Sequence, residues 1–331
     1  MRAVAALLLL GHAAPAQFKS TVPLVVAPTT IKDRKGHLID GLTGADLVLY
    51  DNNVPQAIHL DTVINPISLV VAVQASSNSA AVLDKLGRSG ILFSQLLAGD
   101  RGETAVVSFS DSVQVFQDFT TDPDLLSRAL QNLRVQGDGA ATLEGVMQAL
   151  RMLSHRKAGA RRIILVIAEK RDRSSKVTIA ELLQEAPRQN AAIYWLTYSP
   201  FLTPFTNRPK TVGDREKVED RGKDPKKDAQ PLPPDMAPGS LISIFAELRH
   251  GAKVNAADLL TRTTGARAMN FLKQKALEGA IEAIAEEVHQ QYLLSFQPAP
   301  GEPGRFHAIR VEVKDRPELE ARTRTGYWSV Q

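Results

Sequence analysis

Residues Val71 to Ser79 read Val-Ala-Val-Gln-Ala-Ser-Ser-Asn-Ser, the end of an apolar run that begins at Ile67 and stops in a cluster of small polar side chains. An apolar run of this length without polar alternation is the pattern of a strand buried on both faces. Three more follow, Thr104 to Phe109, Ile163 to Ile167 and Ala192 to Leu196. Between them lie apolar stripes at helical spacing, clearest in Leu143, Val146, Met147, Leu150 and Leu153 and in Leu125, Leu126, Ala129, Leu130 and Leu133. Ser79 to Leu97 reads as another helix, with Gly87 and Gly90 weakening its middle. Repeated β-α units predict an α/β fold, a doubly wound and mostly parallel sheet covered by helices on both faces. Binding sites on such sheets lie beyond the carboxyl ends of the strands, which directs attention to the polar tip from Gln74 to Ser79.

The flanks follow a different pattern. Val22 to Ile31 is rich in Val and Thr, and Asp33-Arg34-Lys35-Gly36 has the composition of a tight turn. Leu47 to Tyr50 and Gln56 to Leu60 form a second strand pair through Asp51-Asn52-Asn53, whose asparagines tolerate positive φ. At the other end, Tyr292 to Phe296, Phe306 to Val313 and about Leu319 to Trp328 are strand-like. Neither set is large enough to cover its own apolar face, so the two are expected to pack into one β-sandwich outside the α/β unit. Helices are predicted at Leu241 to Leu248, Ala256 to Thr263 and Leu272 to Gln290, the last with Leu277, Ile281, Ile284 and Val288 on one face. Residues 203–238 are rich in proline and mixed charge and read as a flexible excursion. The division expected is a signal peptide at 1–16, an N-terminal β segment at 17–62, the α/β unit at 63–290 and a C-terminal β segment at 291–331.

Composition narrows the function classes. With 331 residues, 44% hydrophobic and 23% charged, the chain can bury full cores. The net charge of +4 is spread among alternating signs, not gathered into a basic stripe, which argues against nucleic acid. Met1 to Ala16 combines one positive charge, a short apolar run and an Ala-Pro-Ala ending, the layout of a secretory signal cleaved before Gln17. The run from Ala3 to Leu10 is too short to span a bilayer. A secreted or periplasmic protein without a stable membrane span is therefore expected. There is no cysteine, which excludes disulfides, thiolate catalysis and Cys-ligated zinc.

Catalytic chemistry finds little support. Ser76, Ser77 and Ser79 could supply a nucleophile, but the seven histidines are scattered and none has metal-ligand spacing. Gly137-Asp138-Gly139 lacks the lysine and hydroxyl of a phosphate-binding loop. Tyr194 and Trp195 lie in an apolar strand and read as core.

Leu97-Ala98-Gly99-Asp100-Arg101 leading into Ala105 to Ser110, with Phe119-Thr120-Thr121-Asp122 after it, resembles a von Willebrand factor type A domain. With the flanks Asp33 to Gly36, Asp46 to Gln56, Gln291 to Leu294 and Arg324-Thr325-Gly326-Tyr327, the chain is similar to secreted bacterial VWFA-related proteins abundant in acidobacteria. The resemblance implies a divalent-cation site on three loops, built from an Asp-x-Ser-x-Ser stretch, a Thr and an Asp. At those positions stand Gln74, Ser76 and Asn78, then Ala140 close to Thr142, then Glu169. Gln74 keeps an oxygen but no charge, Ala140 keeps neither, and Lys170 and Arg171 follow Glu169 directly. The expectation is a degenerate site without a cofactor on a non-catalytic adhesion or scaffold module that binds a protein partner. The alternatives are a metal-dependent adhesion domain that holds Mg2+ through Ser76, Asp138, Glu169 and Asp172, or a hydrolase.

Overall fold

The computed structural model describes residues 24–61, 65–157, 159–198, 255–271, 274–299 and 302–329. The signal segment 1–16, the excursion at 203–238 and the helix at Leu241 to Leu248 lie outside the described residues. Two units share the molecule, a six-stranded α/β sheet and a sandwich of two four-stranded sheets.

The central sheet contains β5 (Ile67–Gln74), β6 (Glu103–Phe109), β7 (Val113–Thr120), β8 (Arg161–Glu169), β9 (Ala191–Tyr198) and β10 (Ala268–Asn270), in the order β10-β9-β8-β5-β6-β7. Every pairing is parallel except that of β6 with β7. Every residue of β5 is buried, as its unbroken apolar run requires. The chain leaves β5 for β6 on one side and later returns through β8 on the other, so the order reverses at β5. Gln74 ends that strand and stands at the topological switch point.

Helices α1 (Ala80–Leu86), α2 (Pro123–Gln131) and α6 (Gln274–His289) pack on one face, and α3 (Thr142–Ser154), α4 (Ile179–Arg188) and α5 (Ala256–Thr263) on the other. The starts of α2 and α4 follow from local sequence. Asp122 accepts hydrogen bonds from the Asp124 and Leu125 amides with Pro123 at the first helical position, and Thr178 and Glu181 form a reciprocal capping box. Leu277, Ile281, Ile284 and Val288 are fully buried, as their spacing predicts. The predicted helix from Ser79 to Leu97 is instead broken: α1 stops at Leu86, and the chain resumes as a π-helical stretch at Leu92–Ala98. The cause is tertiary. A Cβ on Gly90 would lie 2.4 Å from Ser127 Oγ, so the glycines let α2 approach more closely than a continuous side-chain-bearing helix would allow. Leu125, assigned to the apolar stripe of α2, is 42% exposed.

The flanking strands form the expected sandwich. β1 (Val25–Lys32), β4 (Ile58–Asp61), β11 (Tyr292–Phe296) and β13 (Glu320–Arg322) make one sheet. The other contains β2 (Leu47–Asp51), β3 (Val54–Gln56), β12 (Phe306–Val313) and β14 (Gly326–Trp328). The sheets enclose Ala27, Ile31, Leu49, Leu294, Phe296 and Val311 among others. Ile309, Val311 and Val313 alternate inward along β12, whereas Phe306, of opposite parity, packs on the α/β core and against Trp328.

Two buried polar contacts bolt the units together. Glu287 on α6, fully buried, binds Lys32 and Arg322 from the sandwich and Arg267 and Tyr194 from the α/β unit. Arg324 runs the other way, donating to the Pro187 carbonyl at 2.7 Å and to Asn190 Oδ1 at 2.6 Å. Burial without a carboxylate partner pulls its guanidinium pKa down to about 10.

Candidate functional site

Three loops meet beyond the carboxyl ends of β5 and β8. The first, Ala75 to Ser79, is tied to its neighbours by backbone bonds: the Ala75 amide donates to the Phe109 carbonyl, the Gln136 amide to the Ala75 carbonyl, and the Ser77 amide to the Gly137 carbonyl. The second, Gln136 to Ala141, thus lies alongside an extension of β5. The third, running from Lys170 to Thr178, is held to the second by the Arg173 amide, which donates to the Ala140 carbonyl.

The side chains complete this network. Gln74 is fully buried and uses both ends of its amide: Oε1 accepts from the Glu169 amide at 2.9 Å, and Nε2 donates to Ser76 Oγ at 2.7 Å and to Glu169 Oε1 at 3.1 Å. A glutamine suits this strand end because it donates and accepts at once; an aspartate at Gln74 would set a second negative charge against Glu169. Arg173 Nη1 donates to Glu169 Oε2 at 2.7 Å, and Nη2 reaches Glu169 Oε1 at 3.5 Å and the Asp138 carbonyl at 3.4 Å. The carboxylate is 7% exposed and the guanidinium side chain 33%, so the pair is partly shielded from water.

The other predicted residues have different employment. Ala140 is buried and contributes only backbone, and Thr142 Oγ1 makes a long 3.5 Å bond to the Ala140 carbonyl. Asn78 is half-buried. Asp172, considered as a ligand, instead caps α3. The N-cap residue Ala141 has no side-chain acceptor, so Asp172 Oδ2 accepts from the Leu143 amide at 3.0 Å while Oδ1 accepts from the Ser174 and Ser175 amides. The alternative set Ser76, Asp138, Glu169 and Asp172 is therefore not assembled around one point. Among the described residues, no group of three or more His, Asp or Glu side chains could hold a metal ion. The residues mapped to the ligand positions do not fit a divalent cation: their one carboxylate is already bonded to a guanidinium and an amide.

Two further residues take part that no sequence pattern singles out. Arg173, rather than Lys170 or Arg171, supplies the positive charge beside Glu169. Asp111, past the end of β6, accepts from the Asp138 amide at 3.1 Å. Glycines flank that contact because a Cβ on Gly137 or Gly139 would lie 2.1 or 2.2 Å from an Asp111 carboxylate oxygen.

Ser76 Oγ accepts from Gln74 and Ser79 Oγ donates to the Ser76 carbonyl, and no hydrogen bond of Ser76, Ser77 or Ser79 in the described residues involves a histidine. Among the described residues the shortest His-Asp contact, His307 with Asp51 at 2.9 Å, belongs to the sandwich, and Tyr327 Oη donates to the same carboxylate.

The profile of von Willebrand factor type A domains matches residues 70–171, from β5 through the start of the third loop. The chain contains a von Willebrand factor type A domain. No curated protein matches the chain in sequence. Among solved structures, BatB from Bacteroides thetaiotaomicron is 16% identical, with a TM-score of 0.44 over 67% of this chain and 98% of its own. An aerotolerance-related membrane protein from Bacteroides fragilis NCTC 9343 is 14% identical, with a TM-score of 0.41 over 67% and 98%. The vWF domain of the type V pili tip protein Mfa5 from Porphyromonas gingivalis is 19% identical, with a TM-score of 0.28 over 39% and 47%.

In this A domain the third loop also leans on Glu144, in the first turn of α3, whose Oε1 accepts from the Val177 and Lys176 amides. Burial raises the Glu144 pKa, but hydrogen bonds from Ser175, Lys176 and Val177 outweigh it and hold the carboxyl below its ordinary value of 4.5. A depressed folded-state pKa stabilises above the unfolded value and ceases to do so as pH falls through the folded one. Glu144→Gln is expected to flatten the loss of stability below pH 4.5, read as urea midpoints across the acid limb. Parallel curves for variant and parent would contradict this role.

Proposed function

We propose that the protein is an exported, non-catalytic interaction module that presents the strand-end loops of its A domain to a protein partner and does so without a divalent cation. The observation that carries this reading is the bonding of Glu169, the one carboxylate among the mapped ligand positions, to Arg173 and Gln74. The exposed residues Ser77, Asp138, Lys170 and Arg171 come from the three loops beside it, at the switch point of the sheet. Export rests on the Met1 to Ala16 segment, and no helix among the described residues is long and apolar enough to cross a membrane.

Photocrosslinking residues placed singly at Ser77, Asp138 and Lys170 test the loop assignment, with Lys35 on the turn after β1 as the exposed control. One product common to the three loop positions and absent from Lys35 is expected in cells expressing the full chain. Equal labelling from Lys35, or none from the loops, would overturn it.

A further inference from the structure

We infer that Arg173 is the built-in cation of this site, a guanidinium doing for the three loops what a bound metal would otherwise do. A cation at such a junction must neutralise the carboxylate at the end of β8 and draw the second loop toward it. Arg173 does both with one group: Nη1 and Nη2 fork onto the two oxygens of Glu169, and Nη2 also reaches the Asp138 carbonyl. Its own amide fastens Ala140, the position at which the second loop has no side-chain oxygen. The first loop joins through Gln74, which donates to the same carboxylate and to Ser76. A planar guanidinium suits this task because its donors match the two oxygens of a carboxylate side by side.

The substitutions at this site then form one coherent set. With a permanent positive charge attached to the chain, a second carboxylate at Gln74 and a hydroxyl at Ala140 have no ion to hold. The amide of Gln74 serves better than an acid, since it can donate to Glu169 while accepting from the backbone. The inference goes beyond the interaction role, which requires only that the loops be presented.

The test compares four full-length proteins by thermal unfolding with and without 10 mM MnCl2 or MgCl2: the parent, Arg173→Gln, Gln74→Asp, and the double variant Gln74→Asp with Arg173→Gln. Arg173→Gln is expected to melt about 3 °C or more below the parent. Gln74→Asp, with two carboxylates but Arg173 still in place, is expected to ignore both metals, whereas the double variant gains an upward shift with either. A metal response of equal size with Arg173 present, or none in the double variant, overturns the inference. Should the double variant fail to fold, Arg173→Lys decides: a point charge in place of the fork is expected to recover part of the stability lost in Arg173→Gln, and no recovery overturns the role assigned to the charge. A parent that itself responds to metal would refute the cation-free reading as well, while failure confined to the variants would leave that reading standing.

Discussion

Glu287→Ala is expected to destabilise the protein by about 3 kcal/mol, the lower end of the range for breaking a buried ion pair, and to loosen the sandwich and the A domain together. The carboxylate is fully buried on α6, with Lys32 and Arg267 on one oxygen and Arg322 and Tyr194 on the other. Removing it leaves three cations facing one another around an empty position. The cost sits at the low end because the three cationic side chains keep 23–27% exposure and can turn toward water. A fall in melting temperature of about 6–10 °C would follow, by the usual proportion for large domains. Hydrogen exchange should show lost protection in both α6 and β1. An unchanged melting temperature would mean that Glu287 does not join the units.

The second large effect concerns the chain end. Deleting Lys314 to Gln331 removes β13 and β14, one edge strand from each sandwich sheet, together with Arg322, Arg324 and Tyr327. β1 loses its pairing through Thr30, Ile31 and Lys32, and Asp51 loses the Tyr327 hydroxyl. The Pro187 carbonyl and the Asn190 side chain lose their arginine donor. Protection is expected to collapse in Val25–Lys32 and Leu47–Asp51 and to persist in β5, β6 and β8, whose pairings involve none of the deleted residues. Unchanged protection in β1 and β2 would show that the N- and C-terminal strands hold no common core.

Within the central sheet, the strands most legible in the sequence were those whose burial is symmetrical. β5, β8 and β9 are covered by helices on both faces, so their apolar runs are unbroken and unmistakable. β7 escapes the sequence pattern because it is a half-exposed antiparallel edge in which Val113, Val115, Phe116 and Phe119 are broken up by Gln114, Gln117 and Asp118 without a period of two, and β10 is only three residues long. The break in the first helix depended on how close α2 comes to Gly90, a contact made across about forty residues of chain that no local pattern encodes. The sandwich was legible as a need, two strand sets each with an uncovered face, while the parity that turns Phe306 toward the A domain emerged only with the register of β12.

The candidate site divides the same way. Strand ends located the three loops, and the residues at Gln74, Ala140 and Glu169 already argued against an ordinary cation site. Which basic residue pairs with Glu169 was not legible. Lys170 and Arg171 are nearer to Glu169 in sequence, but in an irregular loop spacing does not set direction, and it is Arg173 that folds back. Asp111 was invisible for a related reason: its partner is a backbone amide in a different loop.

Calorimetric titration of the purified protein with MgCl2, MnCl2 and CaCl2, with melting temperatures at the endpoints, tests the cation-free site most directly. A resident ion at 100 times its dissociation constant would add about 2.7 kcal/mol of stability by mass action. No binding heat and no upward shift are expected at millimolar concentrations. A saturable heat with a raised melting temperature, both abolished by Glu169→Ala, would contradict the cation-free site.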